Sequence, residues 1–302
     1  MSLFHGLSAF PLTPTDRAGN VEKALLGRLL DRIVAAQADS IGLLGSTGGY
    51  AYLSREQRQV AVRTAVDHVA GQVPIIVGVG ALRTDVAAEL AKDARAAGAD
   101  GLLLAPMSYT PLTDEEVFQH FAAVAEAGEL PLCIYNNPST TRFSFTDDLI
   151  IRLSSLPNVN AVKMPLAADG DFRGELHRLR ARTPGSFSIG YSGDWGAADA
   201  LLAGCDTWYS VIAGLLPEEA LALTRAAKTG DRKTVERLNA ALQPLWTLFQ
   251  KFGSFRVMYG IIEAQGVGRI LPPRPILPLP SSERDAIDHA LDVLTSAMKY
   301  AD

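Results

Sequence analysis

The sequence predicts an α/β fold, a (β/α)8 TIM barrel followed by a C-terminal helical extension. Three observations predict it. Eight short apolar or β-rich runs recur: Leu7–Leu12, Ser40–Gly45, Val73–Val79, Gly101–Ala105, Leu130–Tyr135, Val159–Lys163, Phe187–Tyr191 and Thr207–Ile212. Runs such as IGLLG, PIIVGVG and GLLLAP are apolar throughout rather than alternating, the pattern of parallel strands covered on both faces. Stretches with helical spacing lie between most of the runs, as a closed barrel requires. A doubly wound open sheet would place a glycine-rich fingerprint after the first strand and an acidic residue about 20 positions later. Here Thr13-Pro14-Thr15-Asp16 follows the first run and contains no such fingerprint.

The helices carry their own signals. Val21–Ala36 sets Leu25, Leu26, Leu29, Leu30 and Ile33 on one face. Ser54 is followed three residues later by Gln57, a capping-box pair. A third helix begins at Thr84 and carries Val86, Ala87, Leu90 and Ala94. Thr113 precedes Asp114, Glu115 and Glu116, and acids in a first turn suit the helix dipole. Beyond the last run, Pro217–Thr229, Asp231–Phe252, Phe255–Gln265 and Ser281–Tyr300 all read as helices. The segment Leu271–Pro280 carries five of the seventeen prolines, so an extended, stiff linker is expected there. The expected division is a barrel over 1–224 and a helical extension over 225–302.

Composition narrows the function. The 302 residues are 48% hydrophobic and 20% charged, enough to bury a large core without staples. The net charge of −5 and scattered basic residues argue against nucleic acid as a partner. No apolar run approaches the roughly 18 residues that span a bilayer, and the N-terminal stretch lacks the pattern of a signal peptide. Cys133 and Cys205 fit no metal motif, and low cysteine use suits a reducing, cytoplasmic setting. The five histidines (His5, His68, His120, His177, His289) match no metal spacing either. Neither a metal nor a cofactor is expected, and no membrane partner.

In such barrels chemistry sits at the carboxyl ends of the strands. Lys163 follows Val159-Asn160-Ala161-Val162 and precedes Met164-Pro165, which places it at the end of an apolar strand. A lysine there either snorkels outward, pairs with an acid such as Asp194, or serves as a nucleophile. Tyr135 ends the neighbouring strand, about 4.8 Å away. If both side chains point inward, the phenol reaches an atom bonded to the lysine nitrogen. An amine that attacks a ketone must be neutral, and a free lysine is only about 0.04% neutral at pH 7. Removal from water at a barrel mouth is the general remedy. Attack then gives a carbinolamine and an imine, an electron sink for carbon–carbon cleavage or formation, with tyrosine able to shuttle protons. Ser46-Thr47-Gly48-Gly49 forms a small-residue turn whose amides and hydroxyls suit a carboxylate, or is an ordinary tight turn. Ser108, Tyr109, Thr140, Gly193, Asp194 and Tyr209 complete the candidate substrate contacts.

Taken together, Gly45-Ser46-Thr47-Gly48, Tyr135-Asn136-Asn137-Pro138-Ser139, Val162-Lys163 and Ser192-Gly193-Asp194 resemble the dihydrodipicolinate synthase and N-acetylneuraminate lyase family over essentially the whole chain. The resemblance implies an imine between a pyruvate-type 2-oxo acid and Lys163. It implies proton relay through Tyr135 and Thr47, carboxylate binding by Ser46 and Thr47, and a homotetramer. Three departures stand out. Gly49 occupies a position where the family usually has glutamate. Thr140 stands where the synthase branch has an arginine for its aldehyde substrate, with Arg142 two residues on. Tyr109 falls one place after the position of a tyrosine that the synthase contributes to a neighbouring subunit. These departures favour aldol cleavage or dehydration of a hydroxylated 2-oxo acid over the lysine-biosynthetic synthase. A non-catalytic oxo-acid-binding barrel would be expected to have lost one of Lys163, Tyr135 or Thr47. A nicotinamide oxidoreductase would be expected to show a dinucleotide fingerprint.

Overall fold

The computed structural model describes residues 3–299. Eight parallel strands close into a barrel in sequence order. They are β1 (Gly6–Ala9), β2 (Ser40–Leu43), β3 (Ile75–Gly78), β4 (Gly101–Leu104), β5 (Leu132–Tyr135), β6 (Val159–Met164), β7 (Ser188–Tyr191) and β8 (Thr207–Ser210), with β8 pairing back onto β1. The expected architecture is therefore the one observed. Most strands are shorter than the apolar runs that announce them. The first run ends in Pro11-Leu12, and proline has no amide to continue a ladder.

The barrel helices are α1 (Lys23–Ala36), α2 (Arg55–Val69), α3 (Thr84–Ala96), α4 (Asp114–Gly128), α5 (Pro138–Thr141), α6 (Asp147–Leu153), α7 (Phe172–Arg180), α8 (Ala197–Leu202) and α9 (Pro217–Thr229). Ser54 and Thr113 both form complete capping boxes, with Gln57 and Glu116. Leu25, Leu26, Leu29, Leu30 and Ile33 of α1 are buried, as their spacing predicts.

Two cores result. The larger lies between the outer face of the strands and the helices and runs on into the extension. The smaller fills the barrel and contains Phe4, Ile76, Leu103, Cys133, Ala161 and Tyr209, with Phe10 and Tyr135. Strand alternation then decides what faces the barrel mouth. Tyr135 lies two residues beyond Cys133, and Lys163 two beyond Ala161, so both project inward.

Three aspartates close the opposite end. Leu7 of β1 donates its amide to Asp39 at 2.7 Å, Ile75 of β3 to Asp100 at 2.8 Å, and Ile189 of β7 to Asp206 at 2.8 Å. Each carboxylate precedes the next strand and accepts an amide of the strand before. The stretches Ala38-Asp39-Ser40, Ala99-Asp100-Gly101 and Cys205-Asp206-Thr207 carry this signal in the sequence.

The extension comprises α10 (Arg232–Phe252), α11 (Ser254–Ala264) and α12 (Arg284–Lys299), the last preceded by a 3-10 turn at Ser281–Glu283. Tyr300, placed in the last helix by the sequence, lies outside the described residues. Val235, Leu238, Leu242, Leu245, Trp246 and Phe249 form the buried stripe of α10. A boundary near residue 224 falls inside α9, the helix after β8, which packs on β1 and α1. The chain instead breaks at Gly230, which caps α9 at φ 75°. Among the described residues no helix is long and apolar enough to cross a membrane.

The aspartate contacts lie at the amino ends of the strands, away from the face that carries Lys163. Asp39→Ala is therefore expected to lower stability by about 1–2 kcal/mol, a charge-assisted bond partly open to water. Turnover should not change. Thermal melts beside steady-state kinetics check both halves; a loss of activity without a loss of stability would contradict this division of the barrel.

Candidate active site

Lys163 is 3% exposed. It pairs in register with Tyr135 on β5 and Gly190 on β7. Its Nζ lies 3.8 Å from the centre of the Phe10 ring, 4.3 Å from that of Tyr135 and 5.6 Å from that of Tyr209. The amine thus sits in a three-sided aromatic box and, among the described residues, makes no ion pair. Ring faces attract a cation through their quadrupoles, each contributing about 0.5–2 kcal/mol.

The box depends on small residues beside it. A Cβ on Gly42 would lie 2.2 Å from the Phe10 ring, and one on Gly45 2.5 Å. Only hydrogen at both positions of the IGLLG run leaves a slot for the ring.

The phenol of Tyr135 has two partners. Ser46 Oγ is 3.2 Å from its oxygen, and the Asn137 side-chain amide donates to it at 2.9 Å. Ser139 Oγ in turn donates to Asn137 Oδ1 at 2.7 Å. The hydroxyl in contact with Tyr135 is that of Ser46; Thr47 is buried beside it at 4% exposure.

Residues Leu44–Gly49 form the turn after β2. Leu44 adopts φ 55° and Gly49 φ 64°. A left-handed leucine is a strained conformation, of the kind that persists where surrounding structure enforces it. Gly78 of β3 is part of that enforcement, because a Cβ there would lie 1.9 Å from the Leu44 carbonyl oxygen. The turn also meets the extension. Phe255 of α11 stacks on Tyr52 at 6.3 Å between ring centres and approaches Gly49.

Two candidates change meaning in the structure. Asp194 is 2% exposed and accepts three hydrogen bonds, from Trp208 Nε1 at 3.1 Å, Val211 N at 3.2 Å and Ile212 N at 2.7 Å. These three bonds make it an internal brace for the exit of β8, and among the described residues it forms no ion pair with Lys163. Burial raises its pKa to about 6, against the lowering pull of the Ile212, Val211 and Trp208 donors and of the Lys163 charge. Tyr209 is likewise fully buried, with its hydroxyl 3.3 Å from Cys133 Sγ inside the barrel. Burial, then the neighbouring Cys133, pushes its pKa well above the usual phenol range. Its ring faces the amine, and its hydroxyl does not line the mouth. Cys133 is pushed up to about 12 by burial, which leaves the thiol inert.

The remaining candidates frame the mouth. Gly193 adopts φ 89°, and Ser192 beside it donates to the Met164 carbonyl at 3.0 Å. Gly48 lies in the strained turn. Ser108 donates to the Thr110 carbonyl, Tyr109 is 97% exposed, and Thr140 is exposed in α5. Arg142 is exposed and adopts φ 57° as it ends the short helix α5. Among the described residues no group of three or more His, Cys, Asp or Glu side chains could hold a metal ion. Sequence reasoning missed Phe10 and Asn137. The glycine pair at 42 and 45 was the available signal for the first; the Asn-Pro turn after Tyr135 was the signal for the second.

A barrel whose inward lysine and tyrosine share a register, beside a turn of small residues, can be set against known proteins. The model of the dihydrodipicolinate synthetase family matches residues 3–294. The 4-hydroxy-tetrahydrodipicolinate synthase of Thioalkalivibrio sulfidiphilus is 35% identical over 282 residues, 92% of each chain. Among solved structures, the dihydrodipicolinate synthase of Agrobacterium tumefaciens is 57% identical, with a TM-score of 0.95 over 97% of this chain and 98% of that one. The chloride-inhibited dihydrodipicolinate synthase of Acinetobacter baumannii, solved in complex with pyruvate, is 26% identical, with a TM-score of 0.87 over 97% and 99%. With family, relatives and barrel in agreement, this chain belongs to the dihydrodipicolinate synthetase family and is a lyase of that family.

Proposed function

We propose that the chain acts on pyruvate or a related 2-oxo acid through a Schiff base on Lys163, without metal or cofactor. The observation that carries this reading is the register pairing of Lys163 with Tyr135, which brings a nucleophilic amine and a proton-carrying phenol to one barrel mouth. In this reading the amine adds to the C2 carbonyl and the oxygen takes a proton. Water departs as the C=N bond forms. Tyr135 moves the protons, with Ser46 beside it and Thr47 completing the relay. The turn amides around Gly48 hold the substrate carboxylate.

The second substrate end is read from the rim. A synthase grips an aldehyde that bears a carboxylate, a task suited to the planar fork of arginine. Ser108, Tyr109, Thr140 and Gly193 offer hydroxyls and backbone there, and no charge. Hydroxyls suit a neutral or polyhydroxylated chain, so aldol cleavage or dehydration of a hydroxylated 2-oxo acid is the favoured reaction. The names of the relatives favour a second reading, the 4-hydroxy-tetrahydrodipicolinate synthase reaction, in which Arg142 would take over the carboxylate. We place the protein in the cytoplasm as a homotetramer, with Tyr109, 97% exposed in the single chain, reaching a neighbouring subunit.

Three outcomes are expected. Incubation with pyruvate and borohydride adds one reduced pyruvyl group per chain, on Lys163 by peptide mass mapping, and Lys163→Ala abolishes both adduct and turnover. An adduct on any other lysine would refute the assignment. Light scattering at micromolar concentration gives the mass of four chains; a monomer counts against the assembly. Condensation of pyruvate with aspartate semialdehyde is negligible in a coupled assay, while some hydroxylated 2-oxo acid is cleaved or dehydrated. Loss of a charge-assisted contact costs on the order of 1.5–3 kcal/mol, roughly 10–150-fold. A synthase kcat/KM of about 10⁴ M⁻¹s⁻¹ or more, an ordinary enzyme value, would instead establish the second reading.

A further inference from the structure

We propose that Asn137 is a positioning residue that fixes the direction in which Tyr135 moves its proton, an assignment that rests on the imine reading. A phenol carries one hydrogen and can both donate and accept. Asn137 Nδ2 lies 2.9 Å from the phenolic oxygen, so the amide donates and the oxygen accepts. Rotating the amide would present Oδ1 to the phenol and reverse that bond. In the observed orientation Ser139 Oγ donates to Oδ1 at 2.7 Å, which satisfies the amide oxygen and leaves the amide N–H for the phenol. With one lobe of the phenol oxygen occupied by Asn137, the phenol's own hydrogen is left for Ser46, 3.2 Å away, or for the substrate over Lys163.

The consequence falls on imine formation. Lys163 Nζ bonds to C2, the carbonyl π pair moves to oxygen, and a proton passes from the new ammonium nitrogen to that oxygen to give the neutral carbinolamine. Tyr135 gives its proton to the carbinolamine hydroxyl, the C–O bond breaks, and water leaves as C=N forms. The phenolate left behind gains a charge-assisted bond from the Asn137 N–H, stronger than the neutral bond it replaces. The phenolate is made neutral again by a proton from the substrate's C3 as the enamine forms. Asn137 therefore acts where charge develops and leaves initial binding alone. Neither Asn137 nor Ser139 is needed to hold the backbone here, because the turn is closed by Thr140 N and Thr141 N on the Asn137 carbonyl, at 3.1 and 3.0 Å.

The experiment measures the rate of pyruvate imine formation by rapid quenching into borohydride, as a function of pyruvate concentration, with melting curves alongside. In Asn137→Leu, of similar size but without a donor, the limiting rate should fall on the order of 10–100-fold. The half-saturating pyruvate concentration should stay within about threefold of wild type, since only a developing charge is affected. Asn137→Asp keeps the shape but accepts instead of donating when ionised. At neutral pH its limiting rate should fall at least as far. Its ratio to wild type, taken at each pH, should recover as pH drops toward the ordinary carboxylate range near 4, where the protonated acid can donate. Ser139→Ala, which removes the donor to Asn137 Oδ1, should show a smaller loss of the same kind. A limiting rate for Asn137→Leu within about twofold of wild type overturns the proposal. So does an Asn137→Asp ratio that is flat with pH. No adduct in the wild-type protein would overturn the imine reading itself, a result distinct from both.

Discussion

An amine buried at the mouth of a barrel without an ion pair is the constraint on which the rest of this site depends. Taking an ammonium out of water costs several kcal/mol when nothing answers its charge. A carboxylate would answer it, but would also repel the carboxylate of the 2-oxo acid proposed as substrate. The aromatic box resolves the conflict, since Phe10, Tyr135 and Tyr209 offer attraction without negative charge. The nearby acid, Asp194, instead accepts three donors from β8 and the segment after it.

The barrel distributes this site over distant parts of the chain and locks each part separately. Phe10 arrives from the end of β1, Ser46 from the turn after β2, Tyr135 from β5, Lys163 from β6 and Tyr209 from β8. The strained turn at Leu44 is held by the close approach of β3, and its outer side is covered by the stack of Phe255 on Tyr52. The helical extension is therefore joined to the functional face as well as to the outer helices. The ends of the barrel differ: amide-capping aspartates secure one, and the other carries strain, buried polar groups and the amine of Lys163.

Much of this was legible in the sequence because strand and helix periodicity depend on local patterns. The eight runs, the capping boxes at Ser54 and Thr113 and the buried face of α1 needed no tertiary information. Lys163 and Tyr135 stood out because strand ends in a barrel converge. The losses came where a residue's meaning depends on what it faces. Asp194 and Tyr209 carry polar atoms that suit a substrate equally well, and only the fold shows those atoms turned to Trp208 and Cys133. Phe10 read as one more core residue, because nothing local tells a ring packed on leucine from a ring packed on an amine. The edge expected at residue 224 lies within α9, which contacts β1 and α1 while its sequence reads like the helices that follow.

The slot that seats Phe10 has a meaning for how such a site can change over time. Gly42 and Gly45 have no room for even a methyl group while the ring is present, yet a smaller residue at position 10 would free both. Steps along the two strands are therefore ordered. Position 10 must shrink before the glycines can grow, and once they have grown the ring cannot return. The box around the amine is easy to abandon and hard to rebuild, a one-way gate in sequence space set by a gap of about one carbon atom's width.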